Sequence, residues 1–261
     1  YDMCANEHMR PSEIKEGKIE LIAECDGLLK VDTEKLNAVN ALGEMMIACR
    51  HGNFPVKKGD KIAGTRIIPL IIEKEKMEQA KEVAGDKPVF ELIPFKKMKA
   101  AIVNTGNEVF YGRIKDTFTP VIIEKLEEYG AEVVGHVVSD DNHEHITEAI
   151  QKFLDAGVDM VLCTGGMSVD PDDRTPLAIK NTGAKIVTYG APVLPGAMFL
   201  LSYYGEEKRP VIGLPGCVMY AKRTIFDLVL PRIMAGEVLE KSDIDILGDG
   251  GLCLNCPVCT V

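Results

Sequence analysis

No apolar run in the 261 residues approaches the roughly 18 needed to cross a bilayer; Ile67 to Ile72 is among the longest and contains Pro69. Positive charge is also in short supply. Thirty Lys and Arg stand against 40 Asp and Glu, a net charge of −10 at pH 7. That sign argues against non-specific nucleic-acid binding, which depends on a basic surface releasing counterions. No secretory leader opens the chain, and five cysteines (Cys4, Cys25, Cys49, Cys163, Cys217) are scattered without a disulfide-scaffold spacing. These absences predict a cytoplasmic protein with reduced thiols and neither membrane nor nucleic acid as partner. The chain begins with Tyr1 rather than Met, so an upstream segment is expected.

What is present reads as two modules. The length gives a prior of one to two domains, each large enough to bury a core. Residues 10–72 are β-rich. Lys18 to Cys25 alternates apolar and polar over its first half, Asp26-Gly27 marks a hairpin-type turn, and Asp32 or Thr33 can cap a short helix. Residues 73–97 read as a connector, with the charged run Glu73 to Gly85 forming a solvated helix. From residue 98 to 236 the pattern becomes strand–helix–strand. Buried-strand runs at Ala100–Asn104, Glu132–Val138 and Val158–Cys163 alternate with helices over Asp116–Tyr129 and His143–Ala156. A long amphipathic helix is expected from about Cys217 to Met234. This alternation predicts a largely parallel sheet with helices on both faces. Residues 237–261 form a tail.

In such sheets ligands bind beyond the carboxyl ends of the strands. That rule selects four loops: Asn104-Thr105-Gly106-Asn107-Glu108, the pair Asp140-Asp141, Thr164 to Asp173, and Gly213-Leu214-Pro215-Gly216. Gly165-Gly166 lets backbone approach a ligand, Ser168 can bond phosphate oxygens, and Gly216 at a helix start favours an anion. Glu108, Asp140, Asp141, Asp170, Asp172 and Asp173 supply hard oxygen ligands suited to Mg²⁺. Taken singly, each of these is more often a turn or a helix cap. Together at one sheet edge they suit a phosphorylated small molecule.

The same residues carry a resemblance. Thr105-Gly106-Asn107-Glu108, Asp140-Asp141, Thr164-Gly165-Gly166-Met167-Ser168 with Asp173, and Gly213-Leu214-Pro215-Gly216 look like the molybdopterin-binding domain family. That family includes the molybdopterin adenylyltransferases and the gephyrin-type molybdotransferases. The resemblance spans about residues 98 to 236 and implies a three-layer α/β/α sandwich beside the smaller N-terminal β-rich module. It further implies molybdopterin or its adenylylated form as ligand, Mg²⁺ as cofactor, a homo-oligomer, and a molybdoenzyme as a further partner. Carried over by position, Glu108 and Asp173 are the catalytic carboxylates. Thr105, Gly106, Gly165, Gly166, Ser168, Pro215 and Gly216 form the pterin-phosphate cradle, and Asp140, Asp141 and Asp173 bind the metal.

Three departures accompany the matches. Pro176 stands where molybdotransferases carry Lys, Leu194-Pro195-Gly196-Ala197-Met198 replaces Lys-Pro-Gly-Lys-Pro, and Gly216-Cys217-Val218 replaces Gly-Asn-Pro. Each lost lysine removes a point charge for phosphate or molybdate. Arg174, Lys222 and Arg223 are the candidates to replace them. The departures leave open a biosynthetic enzyme, a non-catalytic sensor or carrier, and a Mg²⁺-dependent nucleotide pyrophosphatase of the competence-damage type.

Two cysteine features stand apart. Cys217 opens a helix, where the dipole can lower a thiol's pKa; packing in a tight turn is the plainer account. Cys253, Cys256 and Cys259 form a C-x-x-C-x-x-C run that can ligate Zn²⁺ or an iron–sulfur cluster, or else be an oxidisable tail. His143 and His145, two apart on a helix, are poorly spaced for joint ligation and are expected at the surface.

Overall fold

A computed structural model describes residues 3–5, 7–167 and 173–254. The chain divides into two compact units, Tyr1–Phe95 and Lys96–Val261.

The first unit contains β1 (Met9–Pro11), β2 (Lys18–Ala23), β3 (Gly27–Val31), α1 (Thr33–Ala41), β4 (Met45–Cys49), β5 (Phe54–Val56), β6 (Lys61–Ile67), α2 (Lys74–Ala84) and β7 (Phe90–Pro94). Its strands form two antiparallel sheets, ordered β1-β2-β6-β4 and β5-β3-β7. The turn expected at Asp26-Gly27 therefore does not make a hairpin, because β2 and β3 enter different sheets. Gly27 serves another purpose: a Cβ there would lie 2.4 Å from the Ile93 carbonyl oxygen of the neighbouring β7. Asp32 caps α1, its carboxylate accepting the Lys35 N–H at 3.0 Å. Helix α2 is charged on its outer face, yet Ala80 and Ala84 are fully buried in a core with Leu21, Leu29, Val39, Phe90 and Leu92. The strand that follows it, β7, pairs with β3. The segment expected as a solvated connector thus contributes core residues to this unit.

The second unit contains β8 (Lys99–Thr105), α3 (Asn107–Phe110), α4 (Phe118–Glu127), β9 (Glu132–Ser139), α5 (His143–Asp155), β10 (Met160–Thr164), α6 (Thr175–Asn181), β11 (Lys185–Tyr189), β12 (Leu200–Tyr204), β13 (Arg209–Leu214), α7 (Ile225–Met234) and α8 (Lys241–Asp245). One six-stranded sheet runs β11-β12-β13-β10-β8-β9. Pairings β13–β10, β10–β8 and β8–β9 are parallel, and only β12 runs against the rest. Every residue of β10 is buried, the continuous apolar run that a central parallel strand requires. The edge strand β9 is only half covered.

Helix α5 starts at Asn142, whose side chain accepts the Glu144 N–H at 2.8 Å. Ile146, Ile150 and Leu154, spaced by four, bury one stripe against Ala101, Val103, Val161 and Cys163. Because strand side chains alternate, Ile102 and Leu162 face the other way. Helix α4, which buries Ile122 and Leu126, lies against β8 and β9 there. The result is a mostly parallel α/β sheet with helices on both faces.

The continuous helix expected from Cys217 to Met234 is two pieces. Gly216–Met219 forms one 3-10 turn, and α7 starts only after Thr224. Thr224 and Asp227 form a capping box: the Thr224 hydroxyl accepts the Phe226 N–H, and the Asp227 carboxylate accepts the Thr224 N–H at 2.7 Å. No helix among the described residues is long and apolar enough to cross a membrane.

Candidate functional site

Parallel register brings the ends of three strands level. Asn104 sits opposite Thr164 on β10 and Val138 on β9, so the loops after β8, β9 and β10 leave from one sheet edge. A cleft of about 340 Å³ opens there. Asn104 to Val109 form one wall, Ile114 to Phe118 a second, and Asp141, Gly165 and Met219 complete it.

The loops are stitched by their own polar groups. The Asn107 N–H donates to Asp141 Oδ2 at 3.1 Å, and the Asp141 N–H returns a longer bond, 3.4 Å, to Asn107 Oδ1. Asp140 turns away and pairs with His145 Nδ1 at 3.0 Å. The acidic pair read together in the sequence is therefore split between two jobs. Thr175 donates its hydroxyl proton to the Gly165 carbonyl at 2.8 Å, so the 3.1 Å bond between Thr105 and Thr175 has Thr105 as donor. Gly165 has φ +84°, and a Cβ there would stand 2.0 Å from the Thr105 carbonyl oxygen. This glycine lets two loops touch each other. That is a structural duty the sequence pattern had not separated from ligand approach.

Asp116 lies on the second wall and caps α4. Burial pushes its carboxyl up, but hydrogen bonds from the Thr119 hydroxyl, the Thr119 and Phe118 N–H groups and a contribution from Asn104 outweigh this. The group is held below the usual carboxylate range. Although Asn104 Nδ2 stands near enough to favour that charge, it makes no hydrogen bond of proper length and angle. Its cross-strand neighbour Thr164 likewise has a buried hydroxyl without a partner.

Of the expected site residues, Thr105, Gly106, Glu108, Asp141 and Gly165 line this cleft, whereas Asp140, Gly166, Asp173, Pro215 and Gly216 do not. Asp173 is close enough to Tyr189 for its charge, after burial, to push that phenol up. The expected metal set Asp140, Asp141 and Asp173 does not assemble: among the described residues no three His, Cys, Asp or Glu side chains are grouped to hold a metal. Ser168, Asp170, Asp172, Cys256 and Cys259 lie outside the described residues. Burial pushes the Cys217 thiol up, in line with the packing account and opposite to the lowering that a helix start can cause. Of the two histidines expected at the surface, His145 is exposed, but His143 is only partly so and its Nδ1 is buried. Arg223, a candidate replacement for the lost lysines, is engaged by Asp227 at 3.0 Å and Glu128 at 3.2 Å. Lys115, Asp116 and Met219 line the cleft unannounced by any loop motif. Only Asp116 had a legible signal, its place just before an apolar helical stretch.

Asp116→Asn should cost about 1 kcal/mol through the weakened cap. The sign with pH follows from the depressed pKa. Stability from Asp116 is present above the unfolded carboxylate value and is lost as pH falls through the lower folded value. Acid titration of stability should show that loss in the parent chain, with a shallower decline in Asp116→Asn; equal slopes would refute the assignment.

A family described as "Probable molybdopterin binding domain" matches residues 101–235, just over half of the chain. The chain is 27% identical over 182 residues to a molybdopterin molybdenumtransferase of Synechococcus elongatus, covering 66% of this chain and 42% of that protein. It is 29% identical over 129 residues to a Bacillus thuringiensis protein whose name places it among the competence-damage inducible proteins, covering 48% and 31%. The chain thus spans less than half the length of these curated relatives. Among solved structures, it is similar to the molybdopterin biosynthesis enzyme MoaB of Thermus thermophilus, with 21% identity, 54% of this chain and 98% of that one covered, and a TM-score of 0.44.

Proposed function

The chain belongs to the molybdopterin-binding domain family, and on that premise we propose that it holds molybdopterin in the cleft beyond β8, for cofactor biosynthesis or delivery. One observation carries the reading: the cleft lies at the carboxyl ends of three parallel strands, inside the matched region, and its wall includes Thr105, Gly106 and Glu108. Holding the ligand without inserting metal is favoured by the loss of the family's lysines. Pro176 and Ala197 replace lysines, and Arg223 is bound up in ion pairs. Lys115 is the cation on the cleft wall.

Magnesium fits this reading only in a limited way. Asp116 spends its oxygens on the α4 cap, leaving Glu108 and Asp141 as the cleft carboxylates that could hold an ion. One or two carboxylates suit a Mg²⁺ that arrives on a phosphate and leaves with it. A bound ion of that kind would neutralise phosphate charge.

Incubation with molybdopterin, ATP, Mg²⁺ and molybdate tests the proposal. Retained pterin without adenylylated or metal-loaded product is the expected result. Either product, formed by the parent chain and lost in Glu108→Gln, would make this an enzyme and overturn the carrier reading. Absence of molybdopterin binding would overturn both. The competence-damage alternative adds one arm: Mg²⁺-dependent cleavage of the pyrophosphate bond of a dinucleotide would move the assignment to nucleotide pyrophosphatase chemistry.

A further inference from the structure

A bare phosphate, without a metal ion, finds little to hold it on the cleft wall after β8. Its charged lining residues are Glu108, Asp116 and Asp141 against Lys115 alone. Thr105 gives its proton to Thr175, so its oxygen has only lone pairs left to offer. Asp116 is saturated by its cap donors, and one oxygen of Asp141 holds the Asn107 N–H. Glu108 remains, making no side-chain hydrogen bond or ion pair among the described residues. The acidic wall has one donor without a hydrogen bond of proper length and angle. Asn104 lies on the cleft lining, 2% exposed, four residues before Glu108, and its Nδ2 has no hydrogen-bond partner. A buried amide left unpaired is unfavourable, a cost that a ligand oxygen would relieve. Val109, Ile114, Phe118 and Met219 supply an apolar surface to the same cleft.

An amide donor and a free carboxylate lining one cleft are complementary to a carbonyl beside adjacent N–H groups. We infer that Asn104 and Glu108 read the 2-amino-4-oxo edge of a fused pyrimidine ring, Asn104 donating to the ring carbonyl and Glu108 accepting from the ring N–H and amino group. The edge is common to pterins and guanine and absent from adenine. The inference rests on the proposal that this cleft is the ligand site. It adds that Glu108 is taken up by the ring, which leaves Asp141 as the cleft carboxylate for a Mg²⁺ that arrives on a phosphate.

Four probes read it by calorimetry: 6-hydroxymethylpterin, its 2-oxo analogue 6-hydroxymethyllumazine, GMP and AMP. The pterin should bind at least about tenfold tighter than the lumazine, whose second carbonyl would face the Glu108 carboxylate. Glu108→Gln, an exposed and isosteric change, should erase that preference, and Asn104→Asp should weaken the pterin about tenfold or more. GMP binding alongside the pterin would assign the site to the shared edge in either ring system; pterin binding without GMP would assign it to pterins. Equal binding of pterin and lumazine, an unchanged preference in Glu108→Gln, or AMP as tight as GMP would overturn the inference. Molybdopterin retention is measured on the same chain through its fluorescent oxidised form. Retention without edge discrimination sinks this inference alone, whereas loss of both molybdopterin and pterin binding sinks the functional reading with it.

Discussion

Gly165→Ala is expected to destabilise the second unit by about 3 kcal/mol and to abolish ligand retention. Two costs add. An alanine at φ +84° sits in the left-handed region, and such strain runs to about 1–3 kcal/mol. The new methyl also stands 2.0 Å from the Thr105 carbonyl oxygen, a backbone atom that cannot swing aside. Relief requires the loops after β8 and β10 to part, breaking the Thr105–Thr175–Gly165 relay. For a chain of this size, 1 kcal/mol shifts the melting temperature by about 2–4 °C, so a fall of roughly 6–12 °C should result. Hydrogen exchange should report faster opening at the ends of β8 and β10. Gly216→Ala is the control: its Cβ would meet nothing within 4 Å, and the change should stay within about 0.5 kcal/mol. A Gly165→Ala protein that melts with the parent would refute the close-contact account.

The second large effect concerns charge. Lys125 on α4 and Asp227 on α7 are each 8% exposed and pair at 2.5 Å. Lys125 also donates to the Lys222 carbonyl at 3.1 Å, and Asp227 simultaneously caps α7 and receives Arg223. Asp227→Ala leaves a buried ammonium without its counter-ion, which typically costs about 3–5 kcal/mol. The lost capping box contributes about 1 kcal/mol within that range. Lys125→Met combined with Asp227→Asn removes the stranded charge and keeps the cap's shape. The double variant should be more stable than Asp227→Asn alone, and the cycle closed with the Lys125→Met and Asp227→Asn single variants should give a coupling energy near 2 kcal/mol in denaturant unfolding. Additive single effects would show the pair to be independent.

These two sites show where local reading stops. The capping box at Thr224 and Asp227 has a spacing present in the sequence, but the continuous helix expected over 217–234 passes over it. The box's link to Lys125, 102 positions away, was not legible. Likewise, Gly165-Gly166 is legible as a strand-end turn, but which atom occupies the missing Cβ depends on the crossing of a second loop. Asp140 and Asp141 look equivalent in sequence. Only the start of α5 and the Asn107 loop assign one to His145 and the other to the cleft. Asp26-Gly27 has hairpin composition, yet pairing with β5 and β7 sends β3 into another sheet.

Periodicity, caps and loop chemistry are properties of neighbouring residues, so the sequence by itself determined the α/β alternation, the parallel core and the edge at which a ligand site should lie. The absence of long apolar runs and of basic excess, which first narrowed the possibilities, is of the same kind. Strand order, the reversed β12, and the identity of the cleft wall required tertiary structure. Those depend on contacts between residues tens of positions apart, whose geometry no local pattern encodes. Register is what places Asn104 beside Thr164, and folding is what brings Lys115 and Asp116 to the wall opposite Glu108.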